Sequence, residues 1–147
     1  DIVIQPPIIY GLVLLLGMLL DYFVIKINFG VTGVSLLGAF IGLSGIGINM
    51  WSMNRFRFYK TSSHPKHHAV KLIQDGPYRF SRNPLYLGTS LMIGGFGFAF
   101  DMVLIVIGSL IATLIVHYVA VLPEERYLKE IFDQEYQIYT KKVRRWI

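Results

Sequence analysis

The sequence predicts an all-α fold: a polytopic membrane helix bundle of about four transmembrane helices, followed by a C-terminal amphipathic cytoplasmic helix. Three observations carry that prediction. Of the 147 residues, 54% are hydrophobic and 16% charged, with a mean hydropathy of +0.52, whereas soluble domains carry about 25% charged residues. Four apolar runs are each close to the ~20 residues a helix needs to cross the hydrocarbon core. The cations are segregated: of the 14 Lys and Arg, seven (Arg55, Arg57, Lys60, Lys66, Lys71, Arg79, Arg82) fall between the second and third runs, and six (Arg126, Lys129, Lys141, Lys142, Arg144, Arg145) follow the fourth.

The first predicted span covers residues 8–25. It begins after Asp1, has no basic leader and contains Asp21, so it reads as a retained span rather than a signal peptide. The second covers 31–51, where "GAFIG" at 38–42 and the nearby Gly45 and Gly47 place small residues at helical spacing, a pattern that lets membrane helices approach closely. Residues 52–84 form a basic loop. The third span, 85–100, is short and contains "GGFGF", read in the same way; the fourth covers 102–122, after a turn at Asp101. By the positive-inside rule the 52–84 loop and both termini face the cytoplasm, with short outer turns at "KINFG" and Asp101. The length suits one unit, residues 1–147, whose site is built from the bundle itself.

The last segment, 123–147, predicts a helix. Pro123 suits a first turn, Glu124 and Glu125 complement its dipole, and Leu128, Ile131, Phe132, Glu135, Tyr136 and Tyr139 recur at three- and four-residue spacing, giving a mostly apolar face.

Some chemistries are set aside by composition. Without cysteine there is no disulfide, thiolate metal site or cysteine nucleophile. His64, His67 and His68 lack an acidic neighbour in sequence and flank Pro65, so they read as a solvated loop and no metal is expected. The +5 charge is a topology signal and an attraction to membrane lipid; no nucleic acid partner is expected.

If the third and fourth spans form a hairpin, "GPYRFSRNPLY" at 76–86 meets "PEERYL" at 123–128 on the cytoplasmic face. One wall then offers Tyr78, Arg79, Arg82, Asn83 and Tyr86, and the other Glu124 and Glu125. Carboxylates suit an ammonium, Arg or backbone N–H a carboxylate, and aromatic faces a base or a sulfonium. S-adenosyl-L-methionine carries all of these groups.

"LIQDGPYRFSRNPLYLG" and, after the hairpin, "PEERYLKEIFDQEYQIYTKKVRRW" resemble the isoprenylcysteine carboxyl methyltransferases and the related phospholipid methyltransferases, over about residues 55–147. The matching motifs are Leu72 and Ile73, Gly76 to Tyr78, Arg82 to Tyr86, and Glu124 to Leu128. The resemblance implies an integral membrane methyltransferase that takes S-adenosylmethionine from the cytoplasm and a lipophilic or lipidated acceptor from the bilayer. It implies Glu124 at the cofactor ammonium, and contacts around the cofactor from Val70, Lys71, Leu72, Ile73, Asn83, Pro84, Leu85 and Tyr86, with Tyr78 packed against it. Arg82, Glu125 and Arg144 are the implied catalytic candidates, Arg82 standing nearest a substrate or cofactor carboxylate.

Two departures bear on the acceptor. Asn83 stands where the family usually has His, which keeps a donor and an acceptor but removes proton transfer. Ala120 stands where enzymes methylating a prenylcysteine carboxylate have Arg, so a thiol, amine or other lipophilic nucleophile becomes the more plausible acceptor. Two other classes remain in view: an NADPH-dependent sterol-type reductase, and a non-enzymatic lipid-binding membrane protein.

Overall fold

A computed structural model describes residues 5–61 and 69–147. The histidine cluster at His64, His67 and His68 lies outside them. The described residues are helical, without strands: α1 (Pro6–Phe23), α2 (Val34–Tyr59), a 3-10 turn (Gly76–Arg79), α3 (Pro84–Ala99), α4 (Val103–Val116), a π turn (His117–Val121) and α5 (Leu122–Lys142). α1, α2 and the α4–α5 rod are long and apolar enough to cross a membrane, and α3 is a shorter apolar helix. Thus the all-α membrane bundle expected from composition is the architecture observed.

The helices pack in the order α2, α3, α4, α1. The α2–α3 seam is made of glycine. A Cβ on Gly45 would stand 2.5 Å from the Gly88 carbonyl oxygen, and one on Gly95 would strike the backbone of Gly42. Lipid tails are as apolar as the helices, so burial does not drive this association; backbone proximity and dispersion do, and only glycine permits both. On the other side, Gly17 of α1 receives Ile105 of α4, where a Cβ would lie 2.8 Å from the side chain. Ile9, Tyr10, Ile93, Ile105, Ala112, Val116, Ala120 and Val121 form the core between these helices. The outward residues of α1, α2 and α4, such as Leu12, Leu36, Phe40 and Leu110, are exposed apolar side chains, as lipid-facing surfaces require.

Three boundaries differ from the sequence expectation. α2 starts at Val34, after Gly33 in a left-handed conformation (φ 86°), and continues past residue 51 to Tyr59. No Gly or Pro interrupts "MWSMNRFRFY", so the helix runs on for two turns beyond the apolar stretch and carries Arg55 and Arg57 clear of it. At 26 residues it is about 39 Å long, longer than the ~30 Å hydrocarbon core.

The second difference is at Pro123, which does not begin a separate helix. α4 enters the π turn and passes directly into α5, with Pro123 in its first turn. A π register upstream of a proline loosens the preceding carbonyls that its ring would otherwise strike. The third difference is at Asp133, where α5 kinks (φ 33°, ψ −105°); it then ends at Lys142 rather than continuing to 147. The kink turns Tyr136 and Tyr139 onto Leu72, and with Val143, Leu128 and Phe132 they form a second cluster at the basic end of the bundle. Ile131 and Glu135, expected on the same face, are exposed.

At the opposite end the two short turns expected from sequence meet. Asp101 (φ 57°) accepts the Phe29 N–H through Oδ1 at 2.8 Å, its carbonyl accepts Asn28 Nδ2 at 3.0 Å, and the Val103 N–H reaches the Ile27 carbonyl. Asp21, in the last turn of α1 at this same end, is buried.

Candidate active site at the basic end of the bundle

The packing of α3 on α4 brings the start of α3 beside the start of α5, so the two motifs do meet. Tyr86 Oη donates to Glu124 Oε1 at 2.6 Å. Burial is the larger influence on Glu124 and pushes its carboxyl up to about 7, while the Tyr86 hydrogen bond pulls the other way. Successive helix residues point ~100° apart, and Glu125 accordingly faces another set of partners. It accepts Arg145 Nε at 3.1 Å on both oxygens, pairs with Arg145 Nη2 at 3.0 Å and Arg82 Nη1 at 3.5 Å, and accepts Asn83 Nδ2 at 3.4 Å.

This arrangement changes one residue of the sequence reading. Arg145, not Arg144, carries the side chain at Glu125; Arg144 is exposed and meets the site only through its carbonyl, which accepts the Arg82 N–H. Residues 143–147 leave the helix and return along Ser81–Asn83, with the Arg145 carbonyl accepting Ser81 Oγ and Asn83 Nδ2. Asn83 therefore acts through its amide N–H groups. Arg82 lies between Glu125 and the Tyr136 hydroxyl, and its Nε is buried without a partner among the described residues.

The loop before the 3-10 turn forms another wall. Leu72 and Ile73 are buried and line the cavity together with Lys71, whose Nζ stands 4.1 Å from the centre of the Tyr59 ring. Val70, expected among the cofactor contacts, is 75% exposed and does not line the cavity. Pro84 is buried in the first turn of α3 and positions Leu85 and Tyr86, which do line it. Tyr78 is buried; its carbonyl accepts the Tyr139 hydroxyl at 2.7 Å and its ring meets Phe56 edge-on. Burial, above all, raises the Tyr78 and Tyr139 phenols, which therefore remain neutral donors.

Several contributors were not legible as site residues. Asp75 is held by Arg55 at 3.3 Å and by the Tyr59 hydroxyl at 2.8 Å, and this fixes the turn at Gly76 (φ 59°) that presents Tyr78. Tyr10 of α1 shares hydrogen bonds with Ser90 (2.8 Å) and Thr113 (3.3 Å). The signal was present as polar residues within apolar runs, but their partners are 80 and 103 positions away.

These walls enclose a cavity of about 830 Å³, within the ~300–1,000 Å³ range of small-molecule sites. Its lining combines Glu124, Tyr86, Asn83 and Arg82 with apolar groups of α1 (Pro7, Gly11), α2 (Met50, Met53) and α3 (Met92, Ile93), and with the Asn49–Thr89 pair between α2 and α3. Met50 and Met53 are exposed apolar side chains, so one space touches both the part-buried Glu124 carboxylate and accessible apolar groups of α2.

A helical bundle of this composition defines an integral membrane protein, here with a cavity of mixed polar and apolar lining. The chain belongs to the phospholipid methyltransferase family, whose model matches residues 34–135, from the first residue of α2 to just beyond the Asp133 kink. It is thus a member of a membrane methyltransferase family. No curated protein and no solved structure matches the chain significantly.

Proposed function

We propose that this protein is an S-adenosylmethionine-dependent methyltransferase acting on a lipophilic acceptor that enters its cavity from the bilayer, with the basic end of the bundle on the cytoplasmic side. The observation that carries the reading is a cavity whose lining includes both the Glu124–Tyr86 pair and apolar side chains of α1, α2 and α3. The residues present fit the cofactor. Glu124 is a part-buried carboxylate whose one side-chain partner among the described residues is a neutral phenol, which leaves an acceptor for an ammonium. Arg82, whose Nε has no partner among the described residues, offers a donor to a carboxylate, and Tyr78, Tyr136 and Tyr139 supply aromatic walls.

When bound, the cofactor supplies a sulfonium-activated methyl group for in-line displacement. The chain's contribution is positional: reacting atoms must be held ~3–3.5 Å apart and water excluded. Leu72, Tyr136 and Tyr139 pack as one cluster and line the cavity, as does Tyr10, which is anchored to Ser90 and Thr113. Ala120 is buried in the apolar core, so no cation stands at the position where the prenylcysteine-methylating enzymes that the chain resembles carry Arg. This supports an acceptor with an uncharged nucleophile, such as an amine or a thiol, over a carboxylate.

Calorimetric titration of the detergent-purified protein with S-adenosylhomocysteine, and with NADPH in parallel, tests the reading. Saturable binding of the homocysteine compound alone is expected. Binding of NADPH alone would make the protein a reductase, and binding of neither would leave a lipid-binding bundle.

A further inference from the structure

On the other side of the Glu125 ion pairs lies a second, open groove of about 690 Å³. It is built by the Asp133 kink, which sets the second half of α5 against the first. Arg126 and Lys129 come from the first half, Lys141 from the second, Arg145 from the returning tail and Arg82 from the segment before α3. The one carboxylate among the lining residues, Glu125, is already engaged by Arg82 and Arg145. Five cations from four parts of the chain therefore converge on a groove whose one lining carboxylate is committed, an arrangement that like-charge repulsion disfavours unless a counter-anion is present.

The neutral lining is suited to the same kind of occupant. Gln137 and the Tyr136 hydroxyl offer uncharged donors, and Leu122 gives the groove an apolar edge. Leu122 directly follows the last apolar turn of the α4 rod, and Lys129 is seven residues further, about 10 Å along the helix. That is the depth of the phospholipid headgroups at the edge of the hydrocarbon core.

We propose that this groove binds the phosphate of an anionic phospholipid from the adjoining leaflet, as a site separate from the methyl-transfer cavity. The occupant is separated from Glu124 by the Arg82–Glu125–Arg145 wall and is not the methyl acceptor. Because Arg82, Glu125 and Tyr136 line both spaces, the two sites are coupled, and an anion drawing on Arg82 or Arg145 alters the same wall that borders the cofactor end. Coupling of this kind is reciprocal.

Native mass spectrometry of the full-length, delipidated protein tests the site, with dioleoyl phosphatidylglycerol, dioleoyl phosphatidylcholine and glycerol 3-phosphate as probes. Phosphatidylglycerol is expected to be retained about tenfold better than phosphatidylcholine, and the Lys129→Glu/Lys141→Glu protein to lose that preference. The Lys129→Arg/Lys141→Arg protein should keep it. Neither lysine lines the cofactor cavity, so S-adenosylhomocysteine binding by both variants reports that they are folded and tests the methyltransferase reading separately. Equal retention of the two lipids, or a preference unchanged in the Glu variant, overturns the site. Displacement of phosphatidylglycerol by an equal concentration of glycerol 3-phosphate overturns the lipid as its occupant and leaves a site for soluble phosphate esters.

Discussion

Burial and the Tyr86 hydroxyl act on the Glu124 carboxyl in opposite directions, and burial wins, taking it from 4.5 to about 7. A cation is held by the ionised form, so S-adenosylhomocysteine affinity should rise with pH, by roughly tenfold between pH ~6 and ~8, and level off above that. Glu124→Gln should flatten this profile and weaken binding by roughly 10- to 100-fold, the loss of one charge-assisted hydrogen bond. Tyr86→Phe removes the hydrogen bond that favours the charged form, so the midpoint of the profile should move upward. A profile identical in the wild type and Glu124→Gln would take Glu124 out of the site. Stability has the opposite sign: the folded state binds the Glu124 proton more tightly than the unfolded one, so this residue's contribution to stability falls as pH rises from 4.5 to about 7. At this scale the sequence identified the carboxylates but not their division of labour. The ~100° between Glu124 and Glu125 sends one to a phenol and the other to arginines, and which arginine arrives depends on a tail that leaves the helix.

At the scale of elements, the tail and the glycine seam give two contrasts. Arg145→Ala removes the bidentate partner of Glu125, whose side chain is 12% exposed, and should lower stability by about 1–3 kcal/mol; Arg145 itself is 38% exposed, which keeps the loss below that of a fully buried pair. Arg144→Ala, at an exposed position, should leave the thermal midpoint unchanged, and equal shifts for the two would contradict the assignment of the tail. In the seam, Gly45→Val drives a side chain into the Gly88 carbonyl and should cost about 1–3 kcal/mol, whereas Gly47→Val, with nothing within 4 Å, should be neutral in detergent melts. Helix existence was legible for all of these elements because apolar runs of about 20 residues have few other solutions. Helix ends were less so. The end of α2 at Tyr59 and the kink at Asp133 fall in polar sequence, where hydropathy has no signal and tertiary contacts decide.

The whole molecule gathers α1, α2, the loop before α3, and α5 around one cavity, although α1 lies outside the residues matched by the family model. Its orientation is open to a direct experiment because the chain has no cysteine. Lys26→Cys and Lys142→Cys place single thiols at exposed positions at opposite ends. In intact cells a membrane-impermeant maleimide should label Lys26→Cys, and should label Lys142→Cys only after permeabilisation; the reverse pattern would invert the topology.

The sequence by itself determined the membrane class and the number of apolar helices, because hydropathy is a local property; of the glycines it marked for close approach, Gly38, Gly45 and Gly95 lie in the seam and Gly47 does not, and the meeting of "GPYRFSRNPLY" with "PEERYL" followed only from the packing of α3 and α4 as a hairpin. Tertiary structure alone decided that Tyr10 joins Ser90 and Thr113, that Arg145 rather than Arg144 secures Glu125, that Val70 faces outward, and that α5 folds back at Asp133. Each of these depends on which side chains are brought together from distant parts of the chain. That follows from the packing of four helices and a returning tail, and no local pattern encodes it.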